Sequence, residues 1–433
     1  MWELEKQCER HMNHSMNVNA DLEVPGSGNR ALLTSRGLFL SVFFCLCLCP
    51  LTIGDVSVNY TFMLAPFAVA ICTGTLRKPQ DALLVAMTFY ALVFVVALLY
   101  QAEMASDIDR RITSFVLFMS MFAFMFVSID DEMIEAFKVA IVTISVFFSL
   151  QSIYVFSTSG GASLGFEAKN IVGSQRYGFI YLMAFWILYL STPSAPIARI
   201  FKGGAVLTII IGLFLTFSRA SIVGLMLSIS IYFLWSLREI SPARIVRGIV
   251  IAAAAVAVIL YLVNIYFPVI FKFFDLNLFQ LLFSEDSIEA QLASSDTSEG
   301  ARILVWTKII EYVLSNPFTG AGYLGVWIIR EAAGLASAHN QYLDVLFRTG
   351  FVGFLIYMAL LFQTATFLYG KNKAMFWGFV SMLVYGLFHE TFKESQGGFV
   401  LAFLLGMMSQ ANVSLQLSRG LMFFRQHPLT GSR

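Results

Sequence analysis

Long apolar runs recur along most of this chain, and they restrict it to very few folds. Hydrocarbon holds no water to pair with backbone N–H and C=O groups, so a chain that enters it must satisfy its own backbone hydrogen bonds. The runs fall at about 37–53, 60–75, 82–100, 112–128, 139–157, 178–192, 204–217, 220–237, 248–271, 343–369, 374–390 and 398–412. The composition agrees. Of 433 residues, 58% are hydrophobic and only 13% charged, with a mean hydropathy of +0.76. Forty-three Phe residues are more apolar surface than a soluble core of this size could hide. The predicted fold is therefore all-α: a polytopic integral membrane protein of about twelve transmembrane helices, with one large extramembrane loop containing short helices.

Residues 1–36 read as a cytoplasmic tail, because a cleavable signal peptide would place its apolar region sooner after the start. Helices 1–9 occupy 37–271, the large loop 272–341, helices 10–12 342–412, and a second cytoplasmic tail 413–433. Basic residues support this order. Lys138, Arg199, Lys202, Lys371 and Lys373 fall in connections on the same side as both tails, which the positive-inside rule assigns to the cytoplasm. The formal net charge of +1 carries no signal for nucleic acid. Of the five cysteines, Cys45, Cys47 and Cys49 share one apolar run and Cys72 lies in the next; packing roles are expected for them, with neither disulfide nor metal.

The stretch 203–235 is almost continuously apolar, broken only by Ser218-Arg219-Ala220-Ser221. As one helix it would be roughly 50 Å long at 1.5 Å per residue, against about 30 Å of hydrocarbon. Both flanks are basic, so an even number of crossings is required. A tight helical hairpin with Arg219 at its outer tip satisfies both conditions. No short-period repeat, inverted repeat with broken helices, or mid-membrane row of acids is evident.

Chemistry is expected at the outer face. Arg219 opens a helix, where unpaired N–H groups and the macrodipole favour an anion such as a diphosphate; anchoring to lipid headgroups explains it as well. Arg302 sits early in an amphipathic helix that starts after Asp296-x-x-Glu299 and ends at Pro317. It either meets a lipid-linked substrate or is occupied by Glu299 or Trp306. Arg176, with Arg110, Arg111 and Lys169, adds to a positive basin that headgroup anchoring explains equally. Gly320-Ala321-Gly322-Tyr323-Leu324-Gly325 fits a dinucleotide fingerprint only by letter; with no preceding strand it reads as a turn. Of five histidines, His11, His14 and His427 fall in tails, and His389 is expected to end the eleventh span. His339 alone lies in the loop, placed either as a base near neutral pH or as a structural residue. Asp344 and Arg348, spaced i, i+4, read as an intrahelical ion pair.

The order of Phe217-Ser218-Arg219, Gly300-Ala301-Arg302 with Trp306, Asn316-Pro317-Phe318-x-Gly320-x-Gly322, His339-Asn340-x-Tyr342-Leu343 and Gly350-x-x-Gly353 resembles the O-antigen ligase and polysaccharide polymerase family. The motifs cover roughly 205–360. The resemblance implies a metal-independent glycosyltransferase without cofactor, at the periplasmic face of the bacterial inner membrane. Its donor would be an undecaprenyl-diphosphate-linked oligosaccharide, held within membrane lipid. By analogy Arg219 and Arg302 bind the diphosphate and stabilise the leaving group, and His339 orients or deprotonates the acceptor hydroxyl. Arg176, Asn340 and Tyr342 are expected to contact substrate. The form Ala338-His339-Asn340-Gln341-Tyr342-Leu343-Asp344 is more similar to exopolysaccharide and capsule polymerases than to ligases that transfer finished glycan to lipid A–core. A chain-length regulator and export machinery would be partners; nucleic acid would not. A lipid-linked sugar flippase is the reading from another class, and it calls for charges lining a path through the membrane.

Overall fold

The computed structural model describes residues 35–49, 52–53, 56–57, 69, 124, 126–127, 129–158, 178–216, 218–236, 298–318, 320–321, 338–392 and 395–409. The expected spans at 82–100 and 248–271, nearly all of those at 60–75 and 112–128, most of the large loop, the tails apart from Ser35 and Arg36, and Arg176, Arg110, Arg111, Lys169 and Cys72 lie outside the described residues.

The described helices are α1 (Ser35–Leu48), α2 (Asp131–Thr158), α3 (Gly178–Tyr189), α4 (Pro196–Leu215), α5 (Arg219–Ser236), α6 (Ser298–Ser315), α7 (Gln341–Lys371), α8 (Lys373–Tyr385) and α9 (Ser395–Ser409). Of these, α2, α4 and α7 are long and apolar enough to cross a membrane, and α1, α3, α5, α8 and α9 are shorter apolar helices. The chain is an integral, mainly helical membrane protein. One detail departs from an all-α fold: the first expected run, 37–53, is helical only to Leu48, and β1 (Thr52–Ile53) then pairs antiparallel with β2 (Val56–Ser57).

Helix α3 is the hub. It is apolar on every side, and Gly178 to Ile187 are all buried, as a helix without a polar face must be. It packs against α2, α4, α5 and α8. Its neighbours approach closely: a Cβ on Gly178 would strike the Ser221 side chain, and one on Gly212 of α4 would strike Ser149 of α2. Some polar groups inside this apolar body are satisfied locally. Ser149 donates back to the Ser145 carbonyl, and the Trp186 indole donates to Ser228 at 3.3 Å.

Helix α2 begins earlier than its apolar run suggests, because Asp130 caps it by accepting from the Met133 N–H at 3.0 Å. Arg36 of α1 pairs with Asp130 and Glu132, so α1 and α2 start side by side and run parallel. Lys138, Arg199 and Lys202, expected in connections, lie within helices. Lys202 reaches the carbonyls of Tyr189 and Ser191 at 2.9 and 2.6 Å, closing the end of α3.

The break inside 203–235 is real, and it is short. Helix α4 stops at Leu215, and Ser218 caps α5 by accepting from the Ser221 N–H and hydroxyl. The two helices do not, however, form the packed hairpin that was expected. Helix α4 lies on α2 and α3, whereas α5 lies on α8 and α3. The small residues that allow close approach face those partners, Gly212 towards α2 and Gly224 towards α3 and α8. Helices α3 and α5 run parallel, and α3 and α8 antiparallel, with Phe179 near Tyr385 at one end and Trp186 near Trp377 at the other. These relative directions are those the expected alternation of crossings requires.

Candidate active site

Local chemistry fixes the entry into α7. Asn340 is its N-cap, and its side-chain oxygen accepts from the N–H groups of Tyr342 and Leu343 at 2.9 and 3.0 Å. Just before it, His339 has φ of +49°, in the left-handed region that costs a non-glycine residue about 1–3 kcal/mol. Four hydrogen bonds hold it there. The Trp306 indole donates to the Ala338 carbonyl at 2.8 Å, and the Ala338 N–H donates to Glu390 at 2.7 Å. The Gln341 N–H donates to the Gly386 carbonyl at 2.8 Å, and the Phe392 N–H to the Gln341 side-chain oxygen at 2.9 Å.

Arg302 belongs to the same corner. On α6 the residues Val305, Ile309 and Val313 are buried, with Trp306 and Tyr312 packed beside them against Ala321, Ala338 and Phe347. Arg302 extends this stripe by one turn at i−3 and i−4, whereas Thr307, Lys308, Ile310 and Glu311 face outward. Its side chain is half-buried, and among the described residues it has no ion pair, hydrogen bond or ring contact. Arg302 thus lies one helical turn from Trp306, whose indole donates to the residue before His339.

A glycine pair secures α6 to α7. After Pro317 the chain turns through Gly320 (φ +61°) and meets α7 where Gly350 (φ +63°) interrupts the helix. The Ala321 N–H donates to the Phe347 carbonyl, and the Phe351 N–H to the Pro317 carbonyl, both at 2.7 Å. A Cβ on Gly320 would lie 2.5 Å from the Phe347 oxygen, and one on Gly350 2.6 Å from the Pro317 oxygen. The glycine motif is a backbone contact, as its sequence context suggested. Beneath it Asp344 and Arg348 form the expected ion pair at 2.8 Å, with side chains only 6% and 8% exposed.

His389 was misjudged from the sequence. Helix α8 ends at Tyr385, not near 390, and the chain turns through Gly386–Phe392. That turn brings the His389 ring to 6.3 Å from the His339 ring, nearly perpendicular to it, and stacks it on Tyr385 at 5.4 Å. Glu390, also unremarked in the sequence, is buried and holds Ala338. The order of crossings carried the clue, since an eleventh span ending near 390 emerges on the same face as 339.

Tyr385 extends the corner towards α3 and α5. Its ring lies 6.5 Å from Phe179, and a Cβ on Gly178 would meet it at 3.0 Å and also strike Ser221, in the first turn of α5. The helix start that Arg219 occupies, and the start of α3 two residues after Arg176, are therefore at the same end of the bundle as His339. Asn340 and Tyr342 have structural duties on view: Asn340 caps α7, and the Tyr342 hydroxyl donates to the Leu383 carbonyl at 2.6 Å. One corner thus joins two imidazoles and a carboxylate, with a cation without a partner among the described residues on the helix that Trp306 ties to it, a set suited to holding an anion while a proton is moved.

Comparison with curated proteins finds no match. The O-antigen ligase family matches residues 204–358, from α4 through α6 into α7. The matched stretch holds Arg219, Arg302, His339 and both glycines of the α6–α7 contact, whereas His389 and Glu390 fall beyond it. Over that domain, the chain is similar to the O-antigen ligase family.

Proposed function

We propose that this protein polymerises undecaprenyl-diphosphate-linked oligosaccharide repeat units in exopolysaccharide, capsule or O-antigen synthesis, at the periplasmic face of the bacterial inner membrane. The likeness of residues 204–358 to the O-antigen ligase family supports ligase- or polymerase-type transfer of a lipid-linked glycan. The observation that supports the residue roles is the hydrogen bond from Trp306, one helical turn after Arg302, to the carbonyl of Ala338, the residue before His339. In this reading the acceptor hydroxyl gives its proton to His339 as its oxygen attacks the anomeric carbon. The bond from that carbon to the diphosphate oxygen breaks, with inversion. Arg302, with Arg219 at the start of α5, receives the departing negative charge. Cleavage of the lipid diphosphate drives the step, so neither ATP nor metal is called for. Arg176 adds to the positive face. Asn340 and Tyr342 serve substrate binding by shaping the entry into α7. A chain-length regulator and export machinery act on the product.

The test is H339A in the native host, with analysis of lipid-linked glycans. Single repeat units accumulating on the carrier, without polymer, support the polymerase. Full-length polymer left on the carrier would assign the ligase activity instead. Polymer of unchanged length and yield would overturn a transferase role.

A further inference from the structure

The apolar arc of α6 is wider than the part that is buried. With about 100° between successive residues, Val305, Ile309 and Val313 form the stripe packed against Ala338 and Phe347. The far side is polar: Thr307, Lys308, Glu311 and Ser315 are exposed, and Lys308 pairs with Glu311 at 2.7 Å. Between these two faces runs a third edge, Ile310 and Leu314, which is apolar and yet exposed, Leu314 by 68%. Just past the helix end, Phe318 continues it at 73% exposure. Water suits the polar face, but not the apolar edge beside it. We infer that the Ile310–Leu314–Phe318 edge is a docking surface for phospholipid, which seats α6 in the membrane leaflet on the His339 side. The inference needs only that α7 crosses a membrane, and so stands apart from the transferase reading.

Continuity with α7 identifies lipid as the occupant. The Phe351 N–H donates to the Pro317 carbonyl, and a Cβ on Gly350 would lie 2.6 Å from the Phe318 carbonyl carbon, so Phe318 abuts α7 at its break. From that point α7 carries its own exposed apolar stripe, Phe351, Leu355, Met358 and Phe362, with Leu355 64% exposed. Residues 351–370 hold no charge. Depth agrees. At 1.5 Å per residue, about 20 residues cross a ~30 Å hydrocarbon core, and counted back from the exposed Lys371 they reach Phe351. The Asp344–Arg348 pair then lies beyond the hydrocarbon, where charge is less costly. Phe318 sits at the boundary, and an amphipathic helix lying there buries its apolar side about 5–10 Å deep. Helix α6 is thus a strut between the acyl chains at Phe318 and the Ala338 carbonyl that Trp306 binds.

The test is photo-crosslinking of the full-length protein in vesicles of phosphatidylethanolamine and phosphatidylglycerol. The photoreactive residue p-benzoylphenylalanine replaces Leu314, Phe318, Leu355 or Lys308, one at a time, and intact mass is read after illumination. Leu314 and Phe318 variants should gain the mass of one phospholipid, as Leu355 on the crossing part of α7 does, while the Lys308 variant on the polar face gains none. Three results would overturn the inference: no lipid adduct at either Leu314 or Phe318, a link from them into another segment of this chain, or a product of twice the mass from a second copy. An adduct at Lys308 equal to that at Phe318 would overturn it too, since the edge would then not be distinguished from the polar face. If the Phe318 variant does not accumulate, Leu314 decides by the same criteria.

Discussion

The backbone N–H of Ala338 donates to a carboxylate oxygen of Glu390 at 2.7 Å, and this bond joins the entry of α7 to the turn after α8. It fixes the residue before His339 from one side while Trp306 fixes it from the other. Glu390→Ala should leave a buried donor unsatisfied and cost about 1–3 kcal/mol. Glu390→Gln keeps an accepting oxygen and should cost less. Thermal unfolding of the purified protein in detergent measures both; equal stability of the two variants and wild type would show that the bond contributes nothing.

Gly320 and Gly350 meet backbone to backbone. Alanine at either position adds a Cβ where φ is near +60° and a carbonyl oxygen is already within van der Waals range. Each substitution should destabilise by about 1–3 kcal/mol from backbone strain alone, with the collision in addition. Because both open the same contact, the double variant should lose less than the two single losses together. Melting midpoints of the three variants check this.

The Asp344–Arg348 pair is buried, so removing one partner takes from the other a short ion pair in a low-dielectric setting. Asp344→Ala or Arg348→Ala should each cost about 3–5 kcal/mol, whereas replacing both with apolar residues of similar volume should cost much less. Protein yield in membranes and the unfolding midpoint are the readouts. Single and double variants of equal stability would contradict a coupled pair.

Arg302 is the opposite case, a half-buried cation with no partner among the described residues. Arg302→Ala should leave the melting midpoint within a degree or so of wild type yet lower the transfer rate by about 10²–10³-fold, the usual loss for one group that stabilises developing negative charge. Arg302→Lys keeps the charge but not the fork of donors and should fall between. A rate measured with lipid-linked donor separates these outcomes. Loss of folding in Arg302→Ala would instead mark a structural residue.

Much of this was legible along the chain. The break at Ser218 is local chemistry, a serine accepting from the N–H three residues on. So is the Asp344–Arg348 pair, which lies within one turn, and so is the end of α6 before Pro317, where proline cannot continue a helix. Arg302 could be assigned to a helix but not to its inward stripe, because that stripe is defined by Ala338 and Phe347, on other segments. The starts of α2 and α4 were placed too late because hydropathy marks the apolar part of a helix, not its charged first turns.

The sequence by itself determined that the chain is a helical membrane protein, where several helices begin and end, and that Arg219, Arg302 and His339 are candidates. These follow from interactions within a turn or two, and from the cost of exposing backbone to hydrocarbon. Only the tertiary structure decided that α4 and α5 diverge around α3, that Gly320 meets Gly350, and that His389 and Glu390 lie beside the entry into α7 at His339. Helices as uniformly apolar as α3 carry no facing pattern, so neither hydropathy nor periodicity says which neighbour each side meets. Packing of small residues and paired rings settles that, and with it which distant side chains share a corner.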